Sequence, residues 1–308
     1  MIGLESTRDI KGRIKSVTKI QQITKAMKRV AAARLRKAEE KANGSRPYAE
    51  KIGGLLRRAS SVTPGFTSPL FRTGEVKKVG YLVICGDKGL AGAYNSNVMK
   101  RTLQEISGKD RSAYALYVCG KQAKNYLKFR GYDPDTYHFG FSDKPSAQDS
   151  IDLSKEIVEY FTKEEVDEVY IIYTKFITAL RQQVRVDRLL PIEAPAEGKT
   201  EEAAKAAASE WEKERQDFLR IEEDPYIFLP DAAAVLSKLL PEYIQVQVYN
   251  AMLQSAASEL GSRMAAMSAA TDNATERIAD LNLTYNKARQ AQVTNEISEI
   301  VGGAAALE

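Results

Sequence analysis

Residues 260–301 read LGSRMAAMSAATDNATERIADLNLTYNKARQAQVTNEISEIV, and their spacing decides the fold. Apolar or small residues recur there every seven positions, in two series that two polar residues interrupt. The first series is Leu260, Met267, Ala274, Leu281 and Ala288, and the second is Met264, Thr271, Ile278, Tyr285 and Gln292. A hydrophobic repeat of 3.5 residues predicts a long helix packed along a partner helix. From Pro241 to Val301 this helix would span roughly 90 Å, longer than a compact domain needs.

A second periodic segment runs from about residue 6 to residue 58. Its apolar positions also recur at an average near 3.5 residues, and they are Ile10, Ile14, Val17, Ile20, Ile23 or Thr24, Met27, Val30 or Ala31, Leu35, Ala38 and Ala42. This segment predicts another long helix, bent near Asn43–Pro47 because proline removes a helical hydrogen bond. The two helices lie at opposite ends of the sequence, so we expect them to pair as an antiparallel coiled coil.

The charge of the first helix is one-sided. Residues 8–37 contain eleven lysines and arginines but only one carboxylate, Asp9. Such an excess implies a polyanion or an acidic protein as partner. In basic-zipper proteins the DNA-binding residues lie beyond the coiled coil, whereas here they lie within its length. The pattern therefore favours an acidic protein partner, with a nucleic-acid-binding coiled coil as the alternative.

The residues between the helices follow a different pattern. Strands are predicted at 79–85, 114–119, 137–141, 168–173 and 183–190, and helices at 95–106, 122–129 and 149–161. This alternation predicts an open, mostly parallel, Rossmann-like α/β domain at residues 76–192. Residues 59–75 and 193–230 are predicted linkers, and residues 231–308 pair with residues 1–58. Within the C-terminal segment, a short helix at 232–240 is expected to end where Pro241 begins a new one.

The sequence GDKGLAGAYN at residues 86–95 lies between a predicted strand and a predicted helix, where phosphates often bind. It is neither GxGxxG nor a Walker A loop, and Asp87 would repel a phosphate. We therefore interpret Gly86, Gly89 and Gly92 as structural residues of a tight turn. A small-molecule enzyme would need ligand binding at this turn, and we predict neither a catalytic residue nor a cofactor.

Composition excludes several other classes. The chain has 308 residues, a formal net charge of +4, two cysteines and one histidine, His138. Cys85 and Cys119 lie in apolar runs without CxxC spacing, so we expect buried free thiols. A lone histidine does not favour a metal site. We predict neither a secretory signal nor a membrane-spanning segment.

Several stretches resemble the gamma subunit of F-type ATP synthases. They are KIQQITKAMKRVAAARLRK at 19–37, SRPY at 45–48, the glycine turn at 86–95, RMAAMSAATDN at 263–273, LTYNKARQ at 283–290 and TNEISEIVGGAAA at 294–306. They cover both ends and the centre of the chain in the family's order. The chain is identified on these motifs as a member of that family.

The resemblance implies a coiled-coil axle inserted in a ring of alternating alpha and beta subunits. The α/β domain would bind the epsilon subunit and the membrane c-ring, without inserting into the membrane and without binding nucleic acid. Ion flow would turn the c-ring and the axle, which would drive the beta subunits through different nucleotide affinities, so the subunit itself would not be catalytic. A start at Met1 without a transit peptide suggests a bacterial enzyme, bound peripherally at the cytoplasmic side of the inner membrane.

The resemblance also implies the residues that contact the ring. The basic face from Lys11 to Arg36 would meet acidic loops of the beta subunits. The other expected contacts are Lys25, Met27, Lys28, Arg29, Arg263, Arg289, Gln290 and Thr294. An ordinary seam or surface role is the alternative for each. Residues 291–307 contain no cation, which suits either a smooth shaft tip turning in a bearing or a fraying helix end.

Overall fold

The computed structural model describes residues 6–63, 65–72, 74–192 and 228–305. Its elements are, in chain order, α1 (Thr7–Ser61), β1 (Val79–Ile84), α2 (Tyr94–Ile106), β2 (Tyr114–Cys119), α3 (Lys121–Phe129), β3 (Thr136–His138), α4 (Ala147–Thr162), β4 (Glu168–Phe176), β5 (Gln182–Leu190) and α5 (Ala232–Ala305). Short 3₁₀ turns lie at Pro69–Phe71 and Arg111–Ala113. The predicted alternation of strands and helices is confirmed.

The chain divides into two compact units. The helix-pair unit consists of the described residues up to Ala33 and those from Arg263 onward, and the sheet unit is Arg34–Ser262. This division differs from the predicted one, which placed both long helices wholly outside the α/β domain. The difference arises because Leu56 of α1 and Leu236 of α5 are buried in the core of the sheet unit.

In the helix-pair unit, α1 and α5 run antiparallel. The Gln21 amide donates to the Thr275 hydroxyl at 2.7 Å, and the Lys28 ammonium donates to Ser268 at 2.9 Å. Thr7, at the start of α1, bonds to Gln292 at 3.1 Å. Residues later in α1 therefore contact residues earlier in α5. This order confirms the predicted antiparallel pairing.

The buried seam of this pair follows the predicted series on α5 but not everywhere on α1. Leu281, Ala274 and Met267 are buried on α5, in the predicted seven-residue steps. On α1, the alternatives Ile23 and Thr24 are resolved in favour of Thr24, which is 8% exposed while Ile23 is 58% exposed. The predicted seam residue Ile20 is 52% exposed. The hydroxyls of Thr24 and Thr271 lie 2.8 Å apart, so a polar pair occupies the seam at this level.

The sheet unit contains five strands in the order β3-β2-β1-β4-β5. The first four strands are parallel, and β5 is antiparallel to β4. Leu82 of β1 and Val118 of β2 are fully buried, as expected for central strands covered on both faces. β3 ends at His138, earlier than predicted, and Gly140 has a positive φ of 105° just beyond it.

The helix boundary predicted at Pro241 is absent, whereas the first helix is predicted to continue past Pro47 with a bend. α1 continues through Pro47 to Ser61, and α5 continues through Pro241 from Ala232. Around Pro241 the flanking side chains of Leu240 and Ile244 are both buried in the sheet core. Continued burial on both sides outweighs the one hydrogen bond that a proline removes. The predicted linker at 59–75 is therefore partly helical, and most of the predicted linker at 193–230 lies outside the described residues.

Candidate functional site

The turn after β1 is held together by one side chain, Asn95. Its Oδ1 accepts hydrogen bonds from the Gly86 N–H at 3.0 Å and from the Cys85 thiol at 3.1 Å. Its amide nitrogen donates to the Lys88 carbonyl at 3.1 Å. The first residues of α2 thus fix the path of the chain that leaves β1.

Asp87 links this turn to two neighbouring segments. Its Oδ1 accepts from the Lys121 N–H at 3.0 Å, and its Oδ2 accepts from the Gly140 N–H at 2.8 Å. Lys121 is the first residue of α3, so the carboxylate occupies the place where a helix N-terminus would bind an external anion. The Lys88 ammonium pairs with Asp143, which also pairs with Arg34 at 3.1 Å. Both charged residues of the turn therefore serve internal contacts.

The three glycines of the turn occupy different environments. A Cβ on Gly86 would lie 2.9 Å from Asn95 Oδ1 and 3.0 Å from Glu259 Cδ, so close approach requires glycine there. Gly92 has a positive φ of 56°. Gly89 has neither constraint, because no atom lies within 4 Å of its Cβ position. Leu90 instead adopts a positive φ of 62° and is 64% exposed.

Helix α5 crosses the carboxyl ends of β1 and β4, where doubly wound sheets usually bind ligands. The Thr174 N–H donates to Ser255 at 3.3 Å, and the Ser258 hydroxyl donates to the Thr174 carbonyl at 3.1 Å. Farther along β4, the Phe176 N–H donates to Gln254 at 3.1 Å. The remaining void beside Glu259 has a volume of about 10 Å³, too small for more than one water. The chain itself fills this crevice.

The two thiols are buried, as predicted, and lie on neighbouring segments of the chain. Cys85 follows β1 and its N–H donates to the Cys119 carbonyl at 2.8 Å. Burial raises the pKa of Cys85 to about 12 and also raises the pKa of Cys119. Because the thiolate is the reactive form, both side chains are poor nucleophiles in the folded chain.

We expect both thiols to react with Ellman's reagent at least about a hundredfold more slowly in the native chain than in urea, because they are buried and protonated. A time course of absorbance at neutral pH measures both rates. The native thiols should remain protected from the reagent while the pH is below the ordinary thiol pKa. This protection should decline as the pH rises through the raised pKa values of the two cysteines. Fast reaction of one thiol equivalent in the native chain would contradict the burial of that cysteine.

The basic surface of the helix-pair unit comes from α1. Of the predicted contact residues on this part of α1, Lys11, Lys25, Lys28 and Arg29 are exposed, and Met27 is half-buried beside the seam. The predicted contact Arg36 belongs to the sheet unit, where it is exposed and pairs with Glu40 at 3.3 Å.

The predicted contacts on α5 fall into two environments. Arg289, Gln290 and Thr294 are exposed, and the Thr294 hydroxyl donates to the Gln290 carbonyl at 2.9 Å. Arg263 is only 8% exposed. Its long side chain is covered by neighbouring residues, so its position differs from that of a surface contact.

An open groove of about 680 Å³ lies between the two helices of this unit. It is lined by Arg8, Asp9, Gly12, Arg13, Ser16, Val17, Arg277 and Leu281. Three guanidinium groups and one carboxylate border it, so it suits an anionic partner. Sequence reasoning missed the contribution of Arg277. Its position next to the seam residue Ile278 in the seven-residue repeat could have placed it at the edge of the helix pair.

The last turns of α5 carry an exposed apolar stripe. Val293, Ile297, Ile300 and Val301 are 48%, 56%, 72% and 61% exposed. Their spacing of four, three and one residues places them on one side of the helix. This stripe begins just after Gln292, the residue that bonds to Thr7 at the start of α1.

The described ranges offer neither a metal centre nor a membrane span. No cluster of three or more histidine, cysteine, aspartate or glutamate side chains there could hold a metal ion. Within the same ranges, every helix is too short or too polar to cross a membrane.

Comparison with known families gives a match over nearly the whole chain. The model of the ATP synthase family matches residues 6–307. The ATP synthase gamma chain of Heliobacterium modesticaldum is 43% identical over 300 residues, which cover 97% of this chain and 98% of that protein. The ATP synthase gamma chain of Pelotomaculum thermopropionicum is 41% identical over 306 residues, covering 99% and 100%.

Solved structures show the same fold at lower identity. A chain of the Euglena gracilis mitochondrial ATP synthase, in a structure of OSCP, F1 and c-ring, has a TM-score of 0.67 and 19% identity, covering 98% of this chain and 94% of that one. A chain of the Tetrahymena thermophila mitochondrial ATP synthase central stalk and c-ring has a TM-score of 0.59 and 23% identity, covering 80% and 99%. At these identities the likeness concerns the fold.

Proposed function

The chain belongs to the ATP synthase gamma-chain family, and on this basis we propose that it is the central rotor shaft of an F-type ATP synthase. In this role it couples rotation of an ion-driven c-ring to ATP synthesis or hydrolysis on the beta subunits. The observation that carries the proposal is the match of nearly the whole chain, helices and sheet alike, to proteins named ATP synthase gamma chain. The chain acts mechanically and contributes no catalytic residue of its own.

The charge of the helix pair supports this role. The exposed cations of α1 and the arginine-bordered groove suit acidic loops on the surrounding alpha and beta subunits. Exposed ion pairs contribute only about 0–1 kcal/mol each, so such contacts can break and re-form at every rotational step. We assign Lys11, Lys25, Met27, Lys28 and Arg29 to this contact surface. The other members are Arg36, Arg289, Gln290 and Thr294, whereas the buried Arg263 is assigned a packing role.

The finer assignments follow from the same family role. We propose that the sheet unit binds the epsilon subunit and the c-ring. The complex would then lie at the cytoplasmic side of a bacterial inner membrane, with this chain attached peripherally. Gly86 and Gly92 are assigned structural roles in the turn after β1, and the open surroundings of Gly89 leave it without a steric one.

The composition of the complex tests the proposal. Purification through a tag on this chain should yield one copy per three alpha and three beta subunits, measured by quantitative mass spectrometry. A nucleic-acid-binding coiled coil would instead co-purify with nucleic acid and bind DNA with steep salt dependence. Absence of alpha and beta subunits from the purified material would refute the rotor assignment.

Reversing charge on α1 should impair the rotor. With Lys25→Glu, Lys28→Glu and Arg29→Glu together, we expect proton-driven ATP synthesis to fall several-fold, because the surface would then repel acidic loops. Synthesis in inverted membrane vesicles measures this, normalised to the amount of assembled complex.

A matched variant controls for net charge. Lys100→Glu, Lys144→Glu and Lys155→Glu change the charge by the same amount at exposed positions of the sheet unit. This variant should retain more synthesis than the α1 variant. Equal activity of the α1 variant and the unmodified chain would sink the assignment of these three residues.

Truncation separates the two interpretations of the C-terminal end. If residues 291–307 form a smooth shaft tip that turns within a bearing, deletion of the residues after Val301 removes the end of that shaft. Single-molecule rotation driven by ATP should then show a large loss of torque. A torque equal to that of the full chain would show that residues 302–308 are merely a fraying end.

A further inference from the structure

The outer side of α3 and the edge strand β3 carry positive charge without matching carboxylates. Residues 121–132 contain four cations and no aspartate or glutamate. None of these four cations forms an ion pair in the described part of the chain. Several other cations of the sheet unit are paired with carboxylates, namely Arg72, Lys88, Arg101, Arg111, Lys163 and Arg188.

Aromatic side chains lie among these cations. Tyr137 and Phe139 are about half exposed and stack on each other with ring centroids 6.1 Å apart. The Lys124 ammonium lies 3.2 Å from the Tyr137 ring centroid, and the Lys121 ammonium lies 4.9 Å from that of Phe139. Phe129, at the end of α3, is 87% exposed. Single exposed apolar residues are common, whereas adjoining aromatic rings rimmed by cations, as at Tyr137 and Phe139, form a small patch of the kind found at interaction surfaces.

The surface is fixed by contacts on its inner side. Ala123 and Leu127 of α3 are fully buried against the sheet. On the opposite face of β3, His138 Nε2 lies 2.7 Å from Glu156 Oε2 of α4. The His138 carbonyl also accepts the Gly120 N–H at 2.8 Å. The lysines are therefore presented on a rigid support, which lowers the entropy lost on binding.

We propose that this surface, the α3 face, is a docking site for an acidic segment of a partner protein. The α3 face consists of Lys121, Lys124, Lys128, Phe129, Tyr137 and Phe139. Carboxylates of the partner would pair with the lysines, and an apolar side chain would cover Phe129. Single-stranded nucleic acid suits the surface less well, because stacking between Tyr137 and Phe139 and the lysines over them occupy ring faces on which bases would stack.

The α3 face belongs to the sheet unit and shares no residue with the basic surface of the helix-pair unit, so this proposal does not depend on the rotor assignment. The test replaces Phe129 with the photo-crosslinker p-benzoylphenylalanine in the full chain, in the cells that make it. Irradiation followed by mass spectrometry maps the adduct. We expect it in a protein segment in which carboxylates outnumber cations.

Charge reversal makes this test specific. Lys121→Glu with Lys124→Glu should lower the adduct yield at least about tenfold, whereas Lys100→Glu with Lys155→Glu on other helices should change it less than twofold. If the first pair lowers the melting temperature, Lys121→Gln with Lys124→Gln decides, and an intermediate yield supports the proposal. A missing protein adduct, an adduct on lipid or nucleic acid, or a yield insensitive to these charges would overturn it.

Discussion

Gly120→Ala should be the most damaging single methyl addition in the sheet unit. A Cβ at this position would lie 2.4 Å from the Cys85 carbonyl oxygen and 2.7 Å from its carbon. Gly120 also has a φ of 110°, which L side chains rarely adopt. Backbone strain of roughly 1–3 kcal/mol and overpacking of a similar size predict a loss of about 3 kcal/mol or more.

Urea unfolding followed by far-ultraviolet circular dichroism measures this loss. The midpoint should fall by about 1 M or more, given a slope of roughly 1–3 kcal/mol per molar urea.

Two other glycines separate backbone strain from close approach as the cause. Gly131→Ala meets the strain alone, with a φ of 82° and no atom within 4 Å, and should cost about 1 kcal/mol. Gly89→Ala meets neither the strain nor the close approach, so its urea midpoint should equal that of the unmodified chain. If Gly120→Ala has the same midpoint as Gly89→Ala, the close approach at Gly120 is refuted.

Asp87→Ala should have the second largest effect. Its carboxylate accepts the Lys121 N–H at 3.0 Å and the Gly140 N–H at 2.8 Å, and thereby joins three segments. A hydrogen bond to a charged group contributes about 1.5–3 kcal/mol. Both bonds are exposed to solvent, which weakens them, so we expect a combined loss of about 2–4 kcal/mol rather than their full sum. The same urea titration measures it.

Two other substitutions test the reason for this effect. Asp87→Asn keeps one acceptor oxygen and should fall between the unmodified chain and Asp87→Ala. Asp133→Ala removes an exposed carboxylate from the loop before β3 and should change the unfolding free energy by less than about 0.5 kcal/mol. If Asp87→Ala behaves like Asp133→Ala, the carboxylate does not hold the turn in place.

Asp87 also shows what the sequence could and could not tell about the turn. The sequence was enough to reject a phosphate site, but it did not reveal what Asp87 does instead. Its charge predicted that a phosphate would be repelled. Its hydrogen bonds, however, join it to residues 34 and 53 positions later in the chain. Nothing local in the sequence specifies such partners, since they depend on which strands become neighbours in the sheet.

The long helices show a similar limit. The seven-residue series on α5 was predictable because its apolar positions leave one choice of face. On α1, Ile20 and Gln21 compete for one seam position, and apolarity alone favours the isoleucine. The structure selects Gln21, which bonds to Thr275, and Thr24 beside Thr271. The choice thus depends on polar groups of the partner helix, more than 240 residues away.

The burial of Arg263 and the continuity of helix α5 through Pro241 were not predictable for a related reason. A family motif locates a residue along a helix but does not give its exposure. Likewise a proline signals a possible helix start, while the buried residues on both sides of Pro241 are those of one continuous helix. The strand order was expected only in outline, because periodicity identifies strands without specifying their neighbours.

The position of α5 in the crevice of the sheet has a consequence for biosynthesis. Leu236, Leu240, Ile244, Val248 and Met252 belong to the same core cluster as Leu82 of β1. Translation adds the helix about 150 residues after that strand, so the ribosome releases the sheet before its last core layer exists. The sheet unit can complete its core only after this helix has emerged. Nascent chains that stall before residue 236 will present an apolar surface to chaperones.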